Sequence, residues 1–327
     1  MRKELLLLGA FGMLTTATLC AQEFHLQPTP QEYITQKDSV DIPRQYQILS
    51  GNSVQDGPAL PLLRSLMPEE VLGASFRVYI GVKGDKIIKK YQHRIPRKSE
   101  GYFLKIEKDC IVIAGADERG AYYGVQTLAQ LLALDKLPLA EVTDYPDVPY
   151  RGVVEGFYGA PWSQEACIRQ LDFYGRNKMN VYIYGPKDDP YHRTPNWRKP
   201  YPAREGEELK VLVNRAKENN VIFYWAIHPG QDIRWNEEDR SLLLQKFESM
   251  YQLGVRGFAV FFDDISGEGT KADKQAELLN YIDDHFVKVK RDVAPLILCP
   301  TEYNKSWTDV EGGYLTCLLY TSPSPRD

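Results

Sequence analysis

The sequence predicts an α/β protein: a (β/α)8 TIM barrel, incomplete in this chain, preceded by a small α+β domain. Three observations predict it. From Tyr150 onward, continuous apolar runs alternate five times with amphipathic stretches. That is the rhythm of parallel strands buried on both faces and covered by helices. No Gly-x-Gly-x-x-Gly turn follows these strands, which favours a barrel over a dinucleotide-binding sheet. Before Tyr150 the pattern is instead apolar–polar alternation, one hairpin signal and one long helix.

Residues 1–21 stand apart from both domains. A basic start, an apolar stretch from Leu5 to Leu14 and a small-residue run ending at Ala21 read as a secretory signal, too short to span a bilayer. The protein is therefore expected to be secreted or periplasmic. Cys20 offers a site for a lipid anchor, but Leu19 before it is larger than lipidation favours. No other stretch is apolar enough to be a transmembrane span.

Residues 22–145 form the first domain. Residues 75–81 alternate as a half-buried strand does, and residues 101–107 and 110–115 flank Lys108-Asp109 as a hairpin. Asp117 is placed to cap a helix whose Ala121, Tyr122, Val125, Leu128, Ala129 and Leu132 share one face. No catalytic cluster occurs here, so support or orientation is the expected role. A Pro-bracketed linker, residues 145–149, leads on.

The barrel domain is expected over residues 150–316. Strands are predicted at 151–154, 180–184, 221–227, 257–262 and 295–299. Helices are predicted at 163–177, with Ser163 as cap, and at 205–219, 239–253 and 273–289. Barrel enzymes keep their chemistry just after the strands. Here the strand ends carry Glu155-Gly156-Phe157-Tyr158, Gly185-Pro186-Lys187-Asp188-Asp189, His228-Pro229-Gly230, Asp263-Asp264 and Thr301-Glu302-Tyr303.

Composition narrows the chemistry. The 327 residues carry 40 Lys+Arg against 44 Asp+Glu, so no basic excess calls for nucleic acid or an anionic membrane. The five cysteines form no Cys-x-x-Cys pair and the five histidines show no ligand spacing, which gives neither a zinc pattern nor a disulfide framework. No metal, no cofactor and no protein partner is inferred. Among three Asp-Asp pairs, Asp283-Asp284 sits on a polar helix face, and Asp188-Asp189 sits in a Pro-rich loop at a strand end, where turn capping and a functional role are both open readings. Asp263-Asp264 directly follows a buried apolar strand. Two carboxylates delivered there are costly without a use. Adjacent carboxyls can hold different protonation states, the division of labour that glycoside cleavage needs.

Several motifs together resemble one family. The run from Arg151 to Gly159, Tyr184-Gly185-Pro186-Lys187-Asp188-Asp189, His228-Pro229-Gly230, Phe261-Phe262-Asp263-Asp264-Ile265 and Pro300-Thr301-Glu302-Tyr303 resemble, in order and spacing, glycoside hydrolase family 84 of the Bacteroides type. Those are β-N-acetylglucosaminidases of the O-GlcNAcase and hyaluronidase-like kind. The likeness runs from about residue 23 to 316. It implies N-acetylglucosamine-containing glycoconjugates as substrates and a retaining mechanism in which the substrate's own acetamido oxygen forms an oxazoline. Asp263 is then expected to orient and polarise the acetamido group, and Asp264 to act as general acid and base. Gly156, Tyr158, Lys187 and Tyr303 are expected to bind the sugar.

The sequence departs from the family at its end. Residues 317–327 read as an atypical tail that continues no barrel unit, so about three units are missing on this count. The alternative reading is a catalytically inactive fragment, or a non-catalytic carbohydrate-binding barrel. A chitinase-like hydrolase would show an Asp-x-x-Asp-x-Asp-x-Glu run, and none occurs.

Overall fold

The computed structural model describes residues 25–67, 69–304, 306 and 313–321. The signal segment, with Cys20, lies outside these residues. The first domain runs β1 (Glu32–Val40), β2 (Gln47–Ser50), α1 (Ala59–Leu66), β3 (Arg77–Val82), β4 (Tyr102–Ile106), β5 (Cys110–Gly115), α2 (Glu118–Leu132) and β6 (Leu137–Asp144). Its six strands lie in the order β1-β6-β4-β5-β3-β2. The predicted hairpin is the β4–β5 pair. Asp117 caps α2 by accepting from the Gly120 N–H at 2.8 Å. Nothing in the sequence pattern signals β1, β2, α1 or β6. β1 is an edge strand exposed along most of its length, so it carries no alternation to read. Pro138 interrupts the apolar pattern of β6.

The second domain runs β7 (Gly152–Glu155), α3 (Gln164–Arg176), β8 (Val181–Tyr184), α4 (Ala203–Glu218), β9 (Ile222–Ile227), α5 (Glu237–Gln252), β10 (Gly257–Phe261), α6 (Ala272–Ile282), β11 (Ile297–Cys299) and α7 (Tyr314–Thr321). The five strands form one parallel sheet in sequence order. This is the half-barrel that the strand–helix rhythm predicts. Ser163 caps α3, accepting from the Ala166 N–H at 3.2 Å. α5 starts earlier than predicted because Asn236, not Asp239, is its cap. The predicted helix 273–289 is α6 followed by a π-helical turn, Asp283–Val287, that keeps Phe286 buried.

Alternation along the strands divides the sheet between two cores. Tyr182, Phe223, Trp225, Phe258, Val260 and Phe262 pack against the helices. Val181, Ile183, Tyr224, Ala226, Ala259 and Phe261 pack with Ile297 and Cys299 on the opposite, inner face. The first domain docks at the strand starts, away from the strand ends that carry the motifs. Arg151 pairs with Glu100 at 2.6 Å, and Lys178 pairs with Asp144 at 2.8 Å and donates to the Tyr102 hydroxyl.

Residues 317–321, the first part of the stretch set apart as a tail in the sequence, belong to α7, which packs on α6. Leu318 is 2 % exposed in the helix-side core, and the Tyr314 hydroxyl accepts from the Thr301 N–H at 2.9 Å. The apolar stripe of Leu315 and Leu318 supplies the packing face. The Ser- and Pro-rich residues just beyond it mask that stripe in the sequence.

Lys246 of α5 pins the long loop after β8. It is 3 % exposed, donates to the Lys199 carbonyl at 2.5 Å and lies over the rings of Tyr201, Tyr191 and Trp225. Burial pushes its pKa down to about 7, against the opposing pull of Asp189. From pH 7 towards the ordinary lysine value the unfolded chain holds this proton and the folded chain does not, so folding stability rises with pH across that window. Lys246→Met removes this dependence. Relative to the variant, the parent should gain more than ~1 kcal/mol between pH 7 and pH 9.5, read by urea unfolding at both values. A difference that stays constant with pH would show that Lys246 is not desolvated as described.

Candidate active site

The inner-face alternation, continued past the strand ends, selects the site residues. On β10, Ala259 and Phe261 face inward, and Asp263 is next in that series. On β8, Val181 and Ile183 lead to Lys187, and on β9 Tyr224 and Ala226 lead to His228. These side chains converge. Lys187 Nζ lies 2.6 Å from Asp263 Oδ2, and only 3 % of the Lys187 side chain is exposed. His228 Nε2 lies 2.7 Å from the Asp263 backbone oxygen and 3.6 Å from Asp263 Oδ1. Asp263 Oδ1 is buried without a hydrogen-bond partner of ordinary geometry. From β11, the Cys299 thiol faces both carboxylates, and burial followed by the charge on Asp263 pushes its pKa up to about 11.

A regular strand would send Asp263 and Asp264 to opposite faces. Asp264 instead has φ +53°, in the left-handed region, which breaks the alternation. Such a conformation costs on the order of 1–3 kcal/mol and persists where surrounding contacts hold it. Aspartate tolerates it better than most residues. Asp264 is exposed, and the Tyr158 hydroxyl lies 3.4 Å from its Oδ2. Tyr303, 53 % exposed, reaches the same carboxylate, whose charge is the first cause of the raised pKa of its phenol.

The loops after β7 and β8 are tied to each other. The Lys187 N–H donates to the Phe157 carbonyl at 3.0 Å, and the Gly159 N–H to Asp188 at 2.9 Å. Gly156 opens the first of these loops and is half-buried. The structure thus brings Asp263, Asp264, Lys187, Tyr158 and Tyr303 to one mouth, with Gly156 at its β7 edge.

Two charged strand-end residues serve the frame instead. Glu155 is fully buried on the helix side, where it accepts from the Trp162 N–H at 2.8 Å and from the Tyr182 hydroxyl. Burial raises its pKa. Asp189, 5 % exposed, accepts from the Tyr184 and Tyr201 hydroxyls, both at 2.8 Å. Two neighbours of the pair were not singled out from the sequence. In the sequence His228 shows only as part of a strand-end motif, and nothing there distinguishes Cys299 from the other cysteines. Among the described residues, no group of three or more His, Cys, Asp or Glu could hold a metal ion.

Comparison with known proteins decides the family. A family model described as beta-N-acetylglucosaminidase matches residues 151–321, just over half of the 327 residues. The chain belongs to this family. A second model, glycosyl hydrolase family 20, domain 2, matches residues 23–145. Protein O-GlcNAcase of Rattus norvegicus is 37 % identical over 158 residues, which cover 46 % of this chain and 17 % of that protein. Beta-hexosaminidase of Vibrio vulnificus is 29 % identical over 167 residues, covering 50 % of this chain and 19 % of that protein. The structure of CpGH84B superposes with a TM-score of 0.84 at 36 % identity, over 91 % of this chain and 55 % of that one. That of CpGH84D gives 0.83 at 28 % identity, over 93 % and 54 %. The expected resemblance to family 84, and the barrel fold, are confirmed by these likenesses. The chain spans about half the length of those two solved relatives, and less of the two curated ones.

Proposed function

We propose that this β-N-acetylglucosaminidase chain belongs to a retaining hydrolase that removes β-linked N-acetylglucosamine from glycoconjugates, with the substrate's own acetamido group as nucleophile. The observation that carries the reading is the inequality of the two carboxylates. Asp263 is held by Lys187 through one oxygen, while its other oxygen is buried beside the His228 ring with no hydrogen-bond partner of ordinary geometry. An acetamido N–H is the partner that oxygen lacks. Accepting it polarises the amide, and the amide carbonyl oxygen then attacks the anomeric carbon as the glycosidic bond breaks.

Asp264 has the complementary environment. It is exposed, lies at the mouth and is reached by two phenols. It donates a proton to the departing glycosidic oxygen. It next accepts a proton from the water that opens the oxazoline, which restores the carboxylic acid and the acetamide with retention at the anomeric carbon. Lys187, Tyr158, Tyr303 and the Gly156 backbone supply the ammonium, phenol and carbonyl groups that suit a neutral polyhydroxyl ligand.

Substrate assistance makes the acetamido group indispensable. The protein with its barrel complete should hydrolyse an aryl N-acetyl-β-glucosaminide and fail on the matching aryl β-glucoside. It should also be inhibited by a thiazoline shaped like the oxazoline. Equal turnover of the two aryl glycosides would overturn the mechanism.

A further inference from the structure

We propose that His228 is a positioning residue for both carboxylates: it grips the peptide between Asp263 and Asp264 through the Asp263 carbonyl oxygen, and so sets where each side chain starts. The inference rests on the hydrolase reading above and adds a residue to it. Its basis is the 2.7 Å contact from His228 Nε2 to the Asp263 carbonyl oxygen. A carbonyl only accepts, so this contact assigns the hydrogen to Nε2. That oxygen belongs to the peptide plane from which Asp264 departs at φ +53°. Rotation of the plane would move both carboxylates, since Asp263 precedes it and Asp264 follows it.

The anchor is itself fixed. His228 is 1 % exposed. Its N–H donates to the His192 carbonyl at 2.7 Å, and it forms a β-bridge with Arg193. The groups facing its ring are Lys187, Asp263, Arg193 and the neighbouring imidazole of His192, 6.3 Å away between ring centroids. Burial, then the Lys187 ammonium, holds the His228 pKa below the ordinary value, while Asp263 opposes them. His192 is pushed down to about 3 by burial and by His228 and Lys187. Both rings are thus neutral, and a neutral ring with its hydrogen on Nε2 leaves Nδ1 bare. Nδ1 of His228 is indeed buried without a partner. The contact to the carbonyl is therefore the one polar bond that this ring makes among the described residues, and it is spent on the catalytic peptide.

A histidine that merely fills the core would satisfy the same static picture, so the test reads coupling. His228→Phe keeps an aromatic ring without the donor, and His228→Asn keeps a polar group too short to reach the carbonyl. Both should lower kcat ~10–10²-fold on an aryl N-acetylglucosaminide with KM changed less than about threefold, the scale of a small misplacement of reacting groups. His228→Gln, whose amide nitrogen can occupy the Nε2 position, should recover most of the loss. Added to a variant already carrying both Asp263→Asn and Asp264→Asn, His228→Phe should slow residual turnover by no more than about threefold further, because His228 acts through those two side chains. Fully additive losses, or a change confined to KM, would overturn the proposal. Imidazole nitrogen NMR gives a readout that needs no turnover. At pH 7 His228 should be neutral with its hydrogen on Nε2, and a protonated ring or an Nδ1–H tautomer would overturn the proposal whatever the activity. Turnover of N-acetylglucosaminides by the parent tests the hydrolase reading separately.

Discussion

Replacing Asp264 with asparagine should nearly abolish turnover of an alkyl N-acetyl-β-glucosaminide while sparing much of the turnover of an activated aryl one. An alkoxide cannot leave without a proton, and an activated phenolate can. A positioned general acid contributes roughly 10²–10⁴-fold, so the alkyl substrate should lose about that factor. The aryl substrate should lose much less in bond cleavage, and a nucleophile such as azide should partly replace the missing base when the oxazoline opens. The limb of the kcat/KM profile that reports loss of the acid's proton should flatten. The structure favours Asp264 over Asp263 for this task because Asp264 is the exposed carboxylate at the mouth, while Asp263 is committed to Lys187. An equal loss on good and poor leaving groups would show that Asp264 is not the acid, and Asp263 would take its place in the test.

The uneven legibility of this protein in its sequence has physical causes. β9 and β10 were readable because Val221–Ile227 and Gly257–Phe262 are unbroken apolar runs, the mark of strands buried on both faces. β1 was not, because an edge strand exposed along its length need not alternate. Asp263-Asp264 stood out because a buried strand ends on two charges. What the sequence could not show is the left-handed turn at Asp264 that puts both on one mouth, since aspartate is not confined to that region as glycine often is. Glu155 and Asp189 illustrate the opposite error. Each looked like a charge displayed at a strand end, but the tyrosine hydroxyls that bury them come from distant positions, Tyr182 for one and Tyr201 for the other. Only the fold reveals those partners. His228 lies between these cases: its motif was visible, but its bond to the Asp263 carbonyl joins residues 35 positions apart.

Replacing Asp263 with asparagine should slow alkyl and aryl N-acetylglucosaminides by the same factor, because in the proposed mechanism the acetamido group attacks in either case. Losing one charged group that stabilises the developing oxazoline should cost roughly 10²–10³-fold in kcat, the scale of deleting a single preorganised electrostatic partner. A second consequence follows from the ion pair. Lys187 has 3 % of its side chain exposed and its ammonium rests on Asp263 Oδ2 at 2.6 Å. Removing one partner of a buried pair leaves an uncompensated charge and costs about 3–5 kcal/mol of stability in typical cases. Part of any loss in Asp263→Asn could therefore come from a disturbed Lys187 and not from the acetamido contact. Asp263→Asn combined with Lys187→Met separates the two, since it removes the stranded charge. Its thermal midpoint should recover towards that of the parent, while kcat stays as low as in Asp263→Asn or falls further. Substrates with mono-, di- and trifluoroacetamido groups add the decisive comparison. Fluorine weakens the carbonyl oxygen as a nucleophile, so the parent should slow steeply along the series if that oxygen attacks. Should kcat recover together with the thermal midpoint in the double variant, Asp263 would be a counter-ion for Lys187 alone, and its place beside the acetamido group would be lost.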